Sequence, residues 1–300
     1  MFQKPVFELI KERYSCRSFD GKAIDGDTLL ALRVFVESQG AGPFGTRPKF
    51  GLIAALADDA SMLKGLGTYG FIKNASAFLV GAANRSAEAL IDFGYMAELA
   101  VLKATELGLG SCWLGGTFNR SRFATAVGLD GRADDTPTGQ TVVCVIALGN
   151  FPVDIDPRIG FIRERVGGAH RKPAAALWFG GSLGSPLAGS PFIFDEQLLE
   201  AVRLAPSASN KQPWRLVITP ESRIDLPRAH LYLQRTPGYG TGLISKFVKL
   251  PDIQMVDMGI ALSHLALVAR AKGMPAALTR RNPGVILADS RTEYAASLNC

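Results

Sequence analysis

Histidine is scarce in this chain, with three in 300 residues, and cysteine nearly so, with four. His170, His230 and His264 stand far apart, and none has a partner at metal-ligand spacing, so no metal site is expected. Cys16, Cys112, Cys144 and Cys300 include no C-x-x-C and no close pair. Such usage fits free thiols in a reducing compartment rather than a disulfide framework. No block of five or more like charges occurs, although the net charge is +6. With no helix-turn-helix, zinc pattern or aromatic-basic platform beside it, this excess fits a local anion site better than nucleic-acid binding. No uninterrupted apolar run reaches the ~18 residues of a membrane span. The N-terminal "MFQKPVFELIKERYS" lacks the long apolar region and cleavage site of a secretory signal. A cytoplasmic protein is expected, with neither membrane nor nucleic acid as a partner.

What is present is ordinary globular material: 47% hydrophobic and 20% charged residues, in a length that suits one large domain or two smaller ones. An internal repeat favours two related halves. "IDFGYMAELAVLKATELG" (91–108) aligns without a gap on "VDMGIALSHLALVARAKG" (256–273), at an offset of 165. Asp92 meets Asp257, Gly94 meets Gly259, and Gly108 meets Gly273. Each stretch predicts a long helix, apolar over most of its circumference and stopped by glycine. His264 falls inside the second and reads as a hydrogen-bonded core residue. At the same offset Pro48 meets Pro213, ahead of the strand-like "KFGLIAAL" and "WRLVIT". Amphipathic helices, "DTLLALRVFVE" and "DEQLLEAVRLA", precede them. Further strands are predicted at "TVVCVIALGN", "MPAALTRR" and "EYAASLN", and a short helix near "RSRFATAVGL". The fold class is α+β: a first half over 1–165, a Gly/Pro-rich connector over 166–191 and a second half over 192–300.

Two short motifs fail on context. "GLGTYG" (65–70) has the G-x-G-x-x-G spacing, but a helix-like "DDASMLK" precedes it and a strand-like "ASAFLVGAA" follows, the reverse of a dinucleotide site. "GGSLG" (180–184) has the G-x-S-x-G spacing, but the following "SPLAGSP" cannot form the helix that a nucleophile elbow needs around Ser182.

One constellation remains. "RYSCR" sets Arg13 and Arg17 close together with Ser15, a pattern suited to an anion because guanidinium groups grip phosphate bidentately. "GLGSCWLGG" offers Gly115 and Gly116, where backbone can approach a ligand. "HRKPAAALW" adds Arg171 and Lys172. "APSASNKQPW" adds small polar groups and an amide pair.

In the order "RYSCRSFDG", "ELGLGSCWLGGTF", "ALGN", "RKPAAALWF", "RLAPSASNKQPWRLVI" and "DMGIALSHLALVARAKG", these segments resemble the nitroreductase superfamily, and within it the branch with two fused halves in one chain. The resemblance spans residues 13 to 273. It implies a nitroreductase-like fold forming an intrachain pseudo-dimer, able to build as a monomer a site that ordinary members build between subunits. It implies FMN as cofactor, NAD(P)H as co-substrate, and ping-pong transfer to a small-molecule electron acceptor such as a nitroaromatic or quinone. Arg13 and Ser15 would bind the phosphate, with Arg171 or Lys172 completing the clamp. Arg17 would lie toward the pyrimidine edge. Gly115 and Gly116 would lie beside flavin N5. Pro206, Ser207, Ala208 and Asn210 would come from the other half. Tyr14 and Leu114, in the same segments, belong to the implied set. The alternative is a binding or sensor protein on this scaffold that holds no flavin or does not turn it over. Specialised flavin chemistry would differ only in the substrate loops, expected at 40–47 and 236–250.

Overall fold

The computed structural model describes residues 2–54, 72–116, 118, 120, 123–124, 139–152, 170–220, 227–239, 251–285 and 289–299. The "GLGTYG" motif, the "DDASMLK" stretch before it, most of "RSRFATAVGL" and most of the segment 236–250 lie outside them. The first half begins with helices α1 (Val6–Glu12) and α2 (Gly26–Glu37). Asp25 caps α2 by accepting hydrogen bonds from the Asp27 and Thr28 amides. Strands β1 (Lys49–Ala54) and β2 (Ala77–Ala83) follow, then the long helix α3 (Ala87–Glu106), capped by Ser86 and stopped before Gly108 at φ 80°. Strands β3 (Gly110–Leu114) and β4 (Thr141–Gly149) complete the sheet, in the antiparallel order β1-β2-β4-β3.

The second half repeats this plan. Helix α4 (Glu196–Leu204) carries an Asp195 cap. Strands β6 (Trp214–Pro220) and β7 (Pro227–Gln234) precede the long helix α5 (Ile253–Ala271), which ends before Gly273 at φ 76°. Strands β8 (Ala277–Thr279) and β9 (Thr292–Asn299) follow. The order β6-β7-β9-β8 matches the first sheet strand for strand, and both halves carry a register shift in the central pair, β2–β4 and β7–β9. One element breaks the correspondence. The stretch expected to connect the halves forms a 3-10 turn at Ala174–Ala176 and strand β5 (Trp178–Gly180), which pairs parallel with β6 at the edge of the second sheet. Beyond it the "GGSLG" motif forms a turn rather than a strand-to-helix elbow, with Gly181 and Gly184 at positive φ.

The two long helices lie against each other, and each packs on its own sheet. Most residues of both are buried, in a core that draws on both halves. The strands sort their side chains by alternation. In β2, Ala77 and Leu79 enter that shared core, while Phe78 and Val80 face a second cluster with Phe19, Cys112 and Phe123. Helix α5 is long and apolar enough by composition to cross a membrane, yet 89% of that stretch is buried inside the fold. Its apolar surface is taken up by α3, α4 and the second sheet.

The α3–α5 crossing is set by two glycines that the repeat aligns. A Cβ added to Gly94 would stand 2.1 Å from the Val256 carbonyl oxygen, and one added to Gly259 would stand 2.0 Å from that of Ile91. No rotamer relieves a clash with backbone. Gly259→Ala is expected to destabilise the protein by about 3 kcal/mol, the upper range for overpacking, read as a shift in urea midpoint. Gly26→Ala, whose added methyl meets nothing within 4 Å, is the control and stays within about 0.5 kcal/mol of the parent.

Candidate functional site

The "RYSCR" segment leaves α1 in extended conformation. It runs beside the edge strand β3, with Ser15 bridged to Ser111 and the Cys16 amide donating to the Ser111 carbonyl at 2.8 Å. This placement brings Arg13 and Arg17 to the same strand, and both charges act on the buried Cys112 thiol. Burial outweighs them and pushes that thiol up to about 11. Cys16 and Cys144 are likewise raised by burial, so none of the three thiols among the described residues is poised as a thiolate. Tyr14 points outward and stacks on Phe151, ring centroids 5.4 Å apart. Leu114, at the end of β3, is buried.

Arg13 is the unusual group. Its side chain is 5% exposed, and its ion-pair contact is Glu98 Oε1 at 3.8 Å, too long for a hydrogen bond. Its Nε has no hydrogen-bond partner. Burial lowers its pKa, against the pull of Glu98. The charge of Arg171, from the segment after the first half, lies close enough that Arg13 helps to lower the Arg171 pKa to about 10, after burial. The two guanidinium charges are thus within electrostatic reach of each other. Arg171 also reaches the end of α4, donating to the Leu204 and Ala205 carbonyls at 3.0 and 2.9 Å, and to Asn210 Oδ1 at 3.2 Å.

Residues 205–212 form a tightly held loop. Ser209, Asn210 and Gln212 all adopt positive φ, at 48°, 51° and 47°. Non-glycine residues enter that region at a cost that surrounding contacts must offset. Here Asn210 and Gln212 side-chain amides donate to the His170 carbonyl, and the Ser207 hydroxyl accepts from the Gln212 amide. The Ala208 amide donates to Asp257 Oδ1 in α5 at 2.9 Å. Pro206 is buried beneath. Lys172 turns away from Arg171. Its amide and ammonium bond to Gln212, and burial together with the charges of Arg215 and Lys211 lowers its pKa to about 8.

Gly115 and this loop meet the same turn of α5. A Cβ on Gly115 would stand 3.3 Å from Ile253, one helical turn before Asp257, which holds Ala208. Gly116 has open space where a side chain would be. The structure therefore brings Arg13, Arg171 and Asn210 together, and links Gly115 to Ala208 through the start of α5. Lys172 is directed elsewhere.

Glu98, Asp257 and Arg215 are not among the site residues that the motifs single out, although Asp257 marks the repeat. Glu98 is fully buried in α3, where it accepts from Trp113 Nε1 at 3.0 Å and faces His264 Nε2 at 3.0 Å. His264 is a hydrogen-bonded core residue, as its position suggested. An acidic residue amid the apolar "YMAELAVL" was the available signal for Glu98. Asp257 mirrors Asp92, which accepts from the Phe44 and Thr46 amides and the Thr46 hydroxyl. Asp257 has one such bond, and its Oδ2 has no partner. Among the described residues no cluster of metal-binding side chains occurs.

The family described as "Putative TM nitroreductase" matches residues 5–269. Among solved structures, a putative nitroreductase from Thermotoga maritima is similar at 18% identity and a TM-score of 0.57, over 100% of this chain and 95% of that one. An oxidoreductase described as containing FMN is 23% identical, with a TM-score of 0.47 over 62% of this chain and 96% of that one. A nitroreductase with bound FMN from Bacteroides fragilis is 20% identical, with a TM-score of 0.37 over 51% of this chain and 92% of that one. No curated protein matches this chain.

Burial raises the Asp257 pKa well above its ordinary 3.8, against the Ala208 hydrogen bond. The folded protein then holds a proton that the unfolded chain releases above about pH 4. Stability from this group is fully present below that pH and is lost as pH rises toward the raised value. Asp257→Asn, which cannot ionise, is expected to flatten that decline in a series of urea midpoints from pH 4 to 8.

Proposed function

The chain belongs to the "Putative TM nitroreductase" family, and we propose that it is an FMN-dependent oxidoreductase that builds one flavin site from both of its halves. In this reading it takes hydride from a reduced nicotinamide and passes it to a small electron acceptor, nitroaromatic or quinone in kind. The observation that carries the reading is Arg13: a buried guanidinium, five donors in a fixed fork, whose Nε lacks a hydrogen-bond partner and which has a second guanidinium beside it. Like charges converging in a buried position are costly unless an anion completes them. A phosphate monoester is such an anion: its oxygens can take the Arg13 fork, while Arg171, already tied to three protein oxygens, adds its charge.

The remaining groups fit the rest of FMN. Ser15 adds a hydroxyl beside Arg13. Arg17 supplies positive charge along the same strand edge. The open backbone at Gly116 permits a flat ring to come close. Asn210 is held by Arg171 and the His170 carbonyl in a set orientation. When bound, FMN supplies the two-electron redox chemistry. The chain's own part is to grip the phosphate, fix the ring's edge and keep its thiols protonated and out of the reaction. Those thiols also fit a reducing, cytoplasmic setting.

The pseudo-symmetric position lacks these groups. At the offset of 165, Ser207 corresponds to Gly42, Ser209 to Phe44 and Asn210 to Gly45. Gly45, at φ 85°, is in the positive-φ region like Asn210 at 51°, but has no side-chain amide to offer. The turn after β5, "GGSLG", carries no arginine. One flavin per chain follows, bound without a second copy.

Two measurements test the reading. Protein saturated with FMN and desalted is expected to be yellow, with a flavin-to-chain ratio near one. A colourless protein that takes up no FMN overturns the oxidoreductase reading, and a ratio near two overturns the single site. Arg13→Ala is expected to weaken FMN binding by about 1.5–3 kcal/mol, the worth of hydrogen bonds to a charged group, measured by flavin fluorescence titration.

A further inference from the structure

We propose that Glu98 and His264 are positioning residues that aim Arg13 at the phosphate group of the cofactor, so that the phosphate grip of one half depends on a histidine from the other. The inference rests on the flavin reading above and adds to it two residues that touch neither phosphate nor ring.

Glu98 lies in the middle of α3 with no exposed surface, and both of its oxygens are engaged. Trp113 Nε1 donates to Oε2 at 3.0 Å, which ties the carboxyl to β3, the strand beside "RYSCR". His264 Nε2 stands 3.0 Å from Oε1, which ties it to α5. The tautomer follows from the opposite nitrogen. His264 Nδ1 lies 2.9 Å from the Ala201 carbonyl, which only accepts, so Nδ1 carries a hydrogen. A hydrogen on Nε2 then completes the contact with Oε1 and leaves Glu98 the charge that Arg13 faces. The carboxyl is fixed from two sides and cannot swing toward Arg13.

Arg13 is therefore attracted by Glu98 without being bound by it. At 3.8 Å the ion pair restrains the guanidinium by charge and uses none of its donors. The charge of Arg171 opposes it as well. A shorter, bidentate pair with Glu98 would consume the fork that a phosphate needs. The spacing leaves Arg13 restrained in direction and short of hydrogen bonds, which suits a group awaiting an external acceptor. Because His264 belongs to α5 and Ala201 to α4, docking of the second half decides where Glu98 stands, and through it where Arg13 points.

The test compares FMN with riboflavin, which differ by the phosphate alone. Affinities for both are measured by fluorescence titration in the parent, Arg13→Ala, Glu98→Gln, the double variant and Trp113→Phe, with a melting midpoint for each. Glu98→Gln is expected to lower the FMN-to-riboflavin affinity ratio about tenfold, and to add nothing in the Arg13→Ala background. Trp113→Phe, which frees Oε2 but keeps an aromatic ring, is expected to lower the ratio about threefold. It carries the test alone if Glu98→Gln fails to fold. An unchanged ratio in Glu98→Gln, or in Trp113→Phe where that stands alone, overturns the positioning role if Arg13→Ala does lower it. Equal losses for FMN and riboflavin overturn it too, since they mark general disruption. An unchanged ratio in Arg13→Ala overturns instead the placement of Arg13 on the phosphate, and this inference with it.

Discussion

The closeness of α3 and α5 governs the rest of the molecule. At the Gly94–Gly259 contact each helix presses on the other's backbone, with room for no side chain on either. Removing one Cβ from each helix at that point lets their neighbouring side chains interdigitate, which is the source of dense packing in a largely apolar core. That core does what a dimer interface does between separate subunits. It also joins the two halves into one main core, while the first half keeps a smaller apolar cluster of its own on the far face of its sheet.

From these two helices hang the pieces of the site. Asp92 and Asp257, in matching positions, each hold the loop that leads into the first strand of their own half. Glu98 and His264 face one another across the helix contact. The scaffold is thus symmetric, while the chemistry carried on it is not. The first-half loop offers glycine, proline and phenylalanine where the second offers serine, alanine and asparagine. Strand β5 extends the second sheet, and among the described residues the first sheet has no equivalent. A fused chain is free to diverge in this way, because a substitution enters one half only, whereas in a homodimer it would enter both.

The large elements were legible in sequence because their causes are local. Glycine stops at 108 and 273, aspartates at 92 and 257 and helical apolar spacing appear within single windows, and the repeat could be read from them. So could the class of the fold, since the order of helix, strand and long helix occurs twice. Strand β5 was hidden because three residues between glycine and proline carry no periodic signal. It is a strand only because β6 offers an edge. For the candidate site the motifs offer a list of residues but no arrangement. Arg171 and Lys172 are adjacent and chemically alike, yet in an extended segment neighbours point to opposite sides, and only Arg171 joins Arg13. Glu98 was passed over because its partners, His264 above all, lie far away along the chain.

The 166 residues separating Glu98 from His264 have a meaning in time as well as in space. At ribosomal rates of roughly 5–20 residues per second, about 10–30 s pass between synthesis of the two. During that interval the first half contains a carboxylate destined for the interior and no imidazole to share its proton, and a helix whose bare glycine face has nothing to lie against. An uncompensated acid in an apolar core costs several kcal/mol, so the contact that neutralises this cost, and the α3–α5 packing around it, can form only once the second half has left the ribosome.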